Sequence, residues 1–98
     1  MYEIEISPVA MAHLRALSGR ERRVIIDGIQ KQLSHQPFEE TRNRKRMRPN
    51  PLAPWELRLG TLRVYYDIDE SGAEKVLVRA VGVKVRHQVT VAGEVIKL

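Results

Sequence analysis

The sequence predicts an α+β fold in which an N-terminal strand and a two-helix hairpin pack on one face of a mostly antiparallel sheet of four to five strands. Three observations predict it. Apolar residues recur with period two, then twice with the helical period, then again with period two; glycine-containing turns separate the later segments; and 98 residues suffice for one core burying about two thirds of the unfolded chain's surface. Residues 1–98 are therefore read as one domain.

Tyr2, Ile4 and Ile6 alternate with Glu3 and Glu5, the period of a half-buried strand. Ser7-Pro8 supplies an N-cap followed by proline at the first helical position, so the strand turns directly into a helix. Ala10, Leu14 and Leu17 share one helix face, Ser18-Gly19 stops that helix, and a second follows in which Ile26, Ile29 and Leu33 form the apolar stripe. Arg20, Arg22 and Arg23 open the second helix, where the dipole disfavours cations, and are placed in solvent or against a partner. From Pro37 to Pro54 a loop is predicted, because four prolines bracket the basic run Arg42-Asn-Arg-Lys-Arg-Met-Arg48 and each removes a backbone donor.

A hairpin follows. Trp55, Leu57 and Leu59 alternate with Glu56 and Arg58, Gly60-Thr61 offers glycine at the first position of a type II′ turn, and Leu62, Val64, Tyr66 and Ile68 alternate with Arg63, Tyr65 and Asp67. Lys75 to Val83 reads as a strand buried on both faces, and Val89 to Leu98 as one more strand or hairpin. Parity then places Glu56, Arg58, Arg63, Tyr65 and Asp67 on a sheet face that the helices leave open. Trp55 is read as capping the core and Tyr66 as part of it.

The formal net charge of +5 comes wholly from residues 41–66, which carry seven Lys/Arg against one acidic residue. Clustered positive charge concentrates phosphate partners, with an affinity that falls steeply as salt rises. The chain has no cysteine, which excludes disulfides, thiol catalysis and thiolate zinc sites, and His13, His35 and His87 are scattered. No metal and no cofactor are expected. Nothing approaches a membrane span, and Met1 to Ser7 lacks a basic lead and an apolar signal core, so a cytoplasmic protein with no membrane partner is expected.

Three pieces, in this order and spacing, resemble the RelE/ParE superfamily of bacterial type II toxins: Trp55-Glu-Leu-Arg58-Leu, Leu62-Arg63-Val-Tyr-Tyr66, and Val78-Arg79-Ala-Val-Gly82 followed by basic residues. The resemblance covers nearly the whole chain. It implies a toxin neutralised by a cognate antitoxin, with operator DNA bound only through that complex. Nuclease members cleave mRNA, commonly on the ribosome, and so inhibit translation; the chemistry is metal-independent attack of the ribose 2′-hydroxyl on the adjacent phosphate. It needs a base, cations on the phosphorane and an acid for the 5′ oxygen.

Carried onto this sequence, the basic positions fall on Arg58, Arg63 and Lys84 or Arg86. A guanidinium that holds two phosphate oxygens suits Arg63 best, although a cross-strand ion pair with Glu56 or Asp67 would also explain it. Two positions depart from the pattern: Glu56 stands where nuclease relatives often have lysine, and Thr90 falls near their catalytic tyrosine. Glu56 as base and His87 as acid form the substitute pair, with Tyr65 or Tyr66 donating to phosphate and Tyr65 the better RNA contact. Arg44, Lys45, Arg46 and Arg48 are expected to grip RNA backbone without reading sequence. Two other readings keep the fold: a ParE-like poison of DNA gyrase without nuclease activity, and a non-toxic nucleic-acid-binding relative.

Overall fold

A computed structural model describes all 98 residues. In chain order the elements are β1 (Glu3–Ile6), α1 (Pro8–Arg15), α2 (Gly19–Leu33), β2 (Arg44–Arg46), β3 (Trp55–Leu59), β4 (Leu62–Ile68), β5 (Lys75–Val85), β6 (Gln88–Val91) and β7 (Glu94–Ile96). Helices and one sheet make the anticipated α+β architecture, but the sheet has seven strands, ordered β2-β3-β4-β5-β6-β7, with β1 pairing β5 in parallel. One of the additional strands, β2, lies inside the predicted loop and pairs antiparallel with β3. Its alternation is invisible in hydropathy because residues of both faces are basic.

Both helices begin on serine caps. The Ser7 hydroxyl accepts from the Ala10 amide at 3.0 Å. Ser18 forms a capping box with Glu21, each backbone amide donating to the other's side chain at 3.1 Å. Ser18 therefore starts α2, whereas the sequence reading had it end α1. The buried stripe of α2 is Ile25, Ile29 and Leu33, and Ile26 is exposed; the apolar step is i, i+4, i+8 instead of the expected i, i+3, i+7. With Ala10 and Leu14 of α1, that stripe packs on Trp55, Leu57, Val64, Tyr66, Val76 and Val78. Each fully buried aliphatic side chain contributes about 1.5–3 kcal/mol.

The turn at Gly60-Thr61 has a positive φ only at Gly60 (64°), the type II′ geometry that glycine allows. Further along, β4 and β5 pair from Leu62↔Val83 to Ile68↔Val76 with a bulge: Tyr65 faces Ala80, Tyr66 faces Val78, and Arg79 has no partner. The other edge of β5 is shared, with β1 pairing residues 75–78 and β6 residues 83–85. Between them, the Ser7 hydroxyl donates to the Arg79 carbonyl at 3.3 Å and the Val81 amide donates to His13 Nδ1 at 3.2 Å. Ser7 and α1 thereby cover the gap, pairing backbone groups that neither flanking strand reaches.

The sheet face away from the helices is not open, contrary to expectation. Tyr65, Ala80, Val89, Val91 and Ala53 form a second small core, flanked by Met47, Leu52 and Ile96. Strand β6 lies so close over Gly82 that a Cβ there would stand 2.8 Å from the Thr90 carbonyl oxygen and from Val91 Cγ2. Glycine lets the C-terminal hairpin curl toward the 47–53 loop, and Tyr65 is buried beneath the two.

Acceptance by Nδ1 requires His13 to be uncharged on that nitrogen, and burial lowers its pKa below the ordinary 6.5. The unfolded chain then binds the proton more readily, so stability rises with pH: it is full above about pH 6.5 and is lost as pH falls through the lower folded value. His13→Ala is expected to cost about 0.5–1.5 kcal/mol at pH 7.5 and to flatten the decline that sets in below about pH 6.5. Urea denaturation across that decline measures both; an unchanged pH slope in the variant would remove His13 from this role.

Candidate active site

The site grows from the cross-strand row Lys45, Glu56, Tyr65 and Ala80, which successive strand pairings align on the second face. Glu56 is its centre. Oε1 accepts from Arg58 Nε at 2.8 Å, Oε2 accepts from the Tyr65 hydroxyl at 3.0 Å, and Arg63 Nε stands 4.0 Å from Oε2. The carboxylate is 7% exposed, and a buried charge persists only when paired and hydrogen-bonded, as this one is. Burial first, then the charge and hydrogen bond of Glu56, raise the Tyr65 pKa well above the ordinary 10. Tyr65 is thus a permanent donor holding Glu56.

This network sorts the predicted residues. Arg63, expected to grip phosphate, is 10% exposed, and its Nη1 donates to the carbonyls of Gly60 at 2.6 Å and Leu62 at 2.9 Å. Its guanidinium fastens the β3–β4 turn, and the anticipated ion pair with Glu56 is present only as a 4.0 Å approach. Tyr65 is fully buried and touches no solvent, so it is not an RNA contact. Arg44 is also buried: its guanidinium donates to the carbonyls of Gln32 and Glu39 and to Gln32 Oε1 at 2.9–3.0 Å, tying β2 to the end of α2. It leaves the RNA-gripping set for the same reason. Each Glu56 oxygen thus already accepts one hydrogen bond, and the carboxylate is held in place by Arg58 and Tyr65.

The remaining candidates converge. Arg48, Arg58, Lys84 and His87 line one cleft of about 660 Å³ with Glu56, between the 47–48 segment and the C-terminal hairpin. Arg58 is 44% exposed and only its Nε is engaged with Glu56, so the terminal nitrogens face the cleft free of protein partners. Lys45 and Arg46 continue the basic wall around Met47. Arg86 and His87 form the two-residue β5–β6 turn, Arg86 with a positive φ of 60°; His87 lines the cleft and Arg86 does not. Trp55 is buried as expected, stacked on Tyr66 at 5.9 Å, with the Arg46 guanidinium 5.6 Å from its ring. Tyr66 donates to the Pro37 carbonyl at 2.7 Å. Lys97 and Gln88 also line the cleft and were missed, since a terminal hairpin's curl has no local signal. No three His, Cys, Asp or Glu side chains converge to hold a metal ion, and no helix is long and apolar enough to cross a membrane.

Two helices packed on one mostly antiparallel sheet give the α+β topology of RelE structures. The chain superimposes on one from the toxin-antitoxin complex RelBE2 of Mycobacterium tuberculosis with a TM-score of 0.71 and 24% identity, covering 85% of this chain and 98% of that one. A chain of the archaeal RelE–RelB complex from Pyrococcus horikoshii OT3 gives 0.66 and 16%, covering 87% and 97%. No family model and no curated protein matches the sequence.

If Tyr65 and Glu56 act as one unit, their replacements are non-additive. Tyr65→Phe is expected to cost about 1.5–3 kcal/mol, the value of a hydrogen bond to a charged group, and at least ~0.5 kcal/mol less in a Glu56→Gln background. Chemical denaturation of the four proteins measures the coupling; strictly additive costs would dissolve the pair.

Proposed function

We propose that the chain is the toxin of a type II toxin-antitoxin system and acts as a metal-independent endoribonuclease on mRNA, inhibiting translation in the cytoplasm until a cognate antitoxin neutralises it. One observation carries the reading: Arg48, Arg58, Lys84 and His87 surround a single cleft whose one carboxylate, Glu56, is already engaged by Arg58 and Tyr65. The fold likeness to chains of two toxin-antitoxin complexes supports the antitoxin as partner.

In this reading the 2′-oxygen bonds to phosphorus, the bond to the 5′ oxygen breaks, and the products are a 2′,3′-cyclic phosphate and a 5′-hydroxyl. The terminal nitrogens of Arg58 and the Lys84 ammonium neutralise the phosphorane, whose charge grows in the transition state. His87 donates a proton to the departing 5′ oxygen while the 2′ proton passes to water. Glu56 touches no reacting atom; it fixes the Arg58 guanidinium through Nε. Arg48, Lys45 and Arg46 hold flanking phosphates, on free mRNA or on the ribosome, and operator DNA is reached only through the antitoxin complex.

Burial of Tyr65 and Tyr66 leaves neither phenol in the cleft to move a proton, which favours a second reading: a gyrase poison acting through protein contacts. Brief induction followed by primer extension on cellular transcripts, beside a supercoiling assay with purified gyrase, separates the two. Cuts should appear in wild type, fall about 10²–10³-fold in Arg58→Ala and about 10²–10⁴-fold in His87→Ala, and persist in the solvent-facing control Arg22→Ala. Intact transcripts with inhibited supercoiling would replace the nuclease by the gyrase reading.

A further inference from the structure

On the far side of the Met47–Pro54 loop lies a second hollow, of about 370 Å³, separate from the cleft except that Met47 and Arg48 line both. Three arginines, Arg46, Arg48 and Arg79, are among the residues that line it, and no acidic residue is. Arg79 comes from the opposite part of the sheet, and the β-bulge brings it there. Val78 and Val81 both face the main core while Ala80 lies in the second one. The unpaired bulge residue between Val78 and Ala80 thus leaves the alternation, and Arg79 turns toward the loop. Bulges re-aim side chains in this way beside binding sites.

The loop wall is preorganised. Asn50 Oδ1 accepts from the Leu52 and Ala53 amides at 2.8 and 3.2 Å, and its Nδ2 donates to the Arg48 and Ala53 carbonyls at 2.8 and 2.9 Å. The Met47 amide donates to the Pro54 carbonyl at 2.7 Å, closing the loop. Arg46 is braced against Trp55. The sole ion pair at the hollow is Arg79 Nη2 to Asp67 Oδ2 at 3.4 Å, between half-exposed and one-third-exposed side chains, the kind worth little in water. The hollow thus concentrates positive charge on a fixed frame with one weak internal competitor. Planar forks of this kind match phosphate oxygens.

We propose that the Arg46, Arg48 and Arg79 hollow is a phosphate subsite for single-stranded RNA, holding a backbone phosphate beyond the cleft, with Arg48 as the step between the two. The inference rests on the nuclease reading for its substrate class but not for its measurement. Arg79 is a positioning residue: it binds the strand away from the scissile bond, so it sets KM and leaves kcat at saturating RNA unchanged.

Fluorescence anisotropy with a labelled 2′-O-methyl oligoribonucleotide, which cannot be cleaved, reads binding alone over a salt series. Arg79→Gln is expected to weaken binding several-fold at low salt and to reduce the log–log salt slope by about 0.7, the share of one single-strand phosphate contact. Asp67→Asn, which frees Arg79, should tighten binding, and Arg22→Gln should leave it unchanged. Cleavage of the matching unmodified RNA is followed in parallel. An unchanged slope in Arg79→Gln, with wild type binding and cleaving, overturns the subsite and spares the nuclease. A reduced slope without any cleavage of free RNA by wild type retains the subsite and removes the nuclease on free RNA, leaving the cellular primer extension to decide for ribosome-bound mRNA. Absence of binding by wild type overturns the subsite outright, as does a fall in kcat in Arg79→Gln with KM unaltered.

Discussion

Strand β5 is the constraint on which the rest of the molecule depends. It must satisfy β4 along one edge and two unrelated strands, β1 and β6, along the other. The four residues between those partners are left to α1, through Ser7 and His13. Helix position, strand order and the direction in which the C-terminal hairpin departs all follow from how this one strand is paired. Because backbone amides and carbonyls must be matched wherever water is excluded, a shift in any of these elements would expose the others to the same debt.

Pairing also decides what faces what. The bulge opposite Tyr65 and Tyr66 gives β5 one residue more than β4, so the two faces of the sheet can both be apolar near the middle and still present Arg79 at the rim. Gly82 then lets β6 close over the second face. The result is a large core under the helices, a small one around Tyr65, and a cleft between the loop and the hairpin where the small core ends.

At that boundary Glu56 sets the chemistry available. A buried carboxylate needs partners, and it takes Tyr65 and Arg58, with Arg63 nearby. Meeting that need fixes one guanidinium at the cleft wall while a second, Arg63, is consumed by the β3–β4 turn. Charge that looks equivalent along the strands is therefore unequal in use. Arg44 makes the same point inside the basic run, spent on carbonyls at the end of α2 while Lys45, Arg46 and Arg48 stay at the surface.

Local chemistry alone determined the order of the elements other than β2, the Ser7 and Gly60 signals, the hairpin register, the burial of Trp55 and Tyr66, and the concentration of positive charge between residues 41 and 66. These are short-range consequences of side-chain period, capping and turn geometry, which a chain displays before it folds. Other features were decided only in three dimensions: β2, whose alternation is masked by basic residues on both faces; the α2 stripe through Ile25; the covering of the second face; the bulge at Arg79; and which arginines remain free. Each depends on pairing between segments far apart in the chain, where burial makes an unpaired polar group costly and so commits Arg44 and Arg63 to structure while Arg48 and Arg58 stay at the cleft.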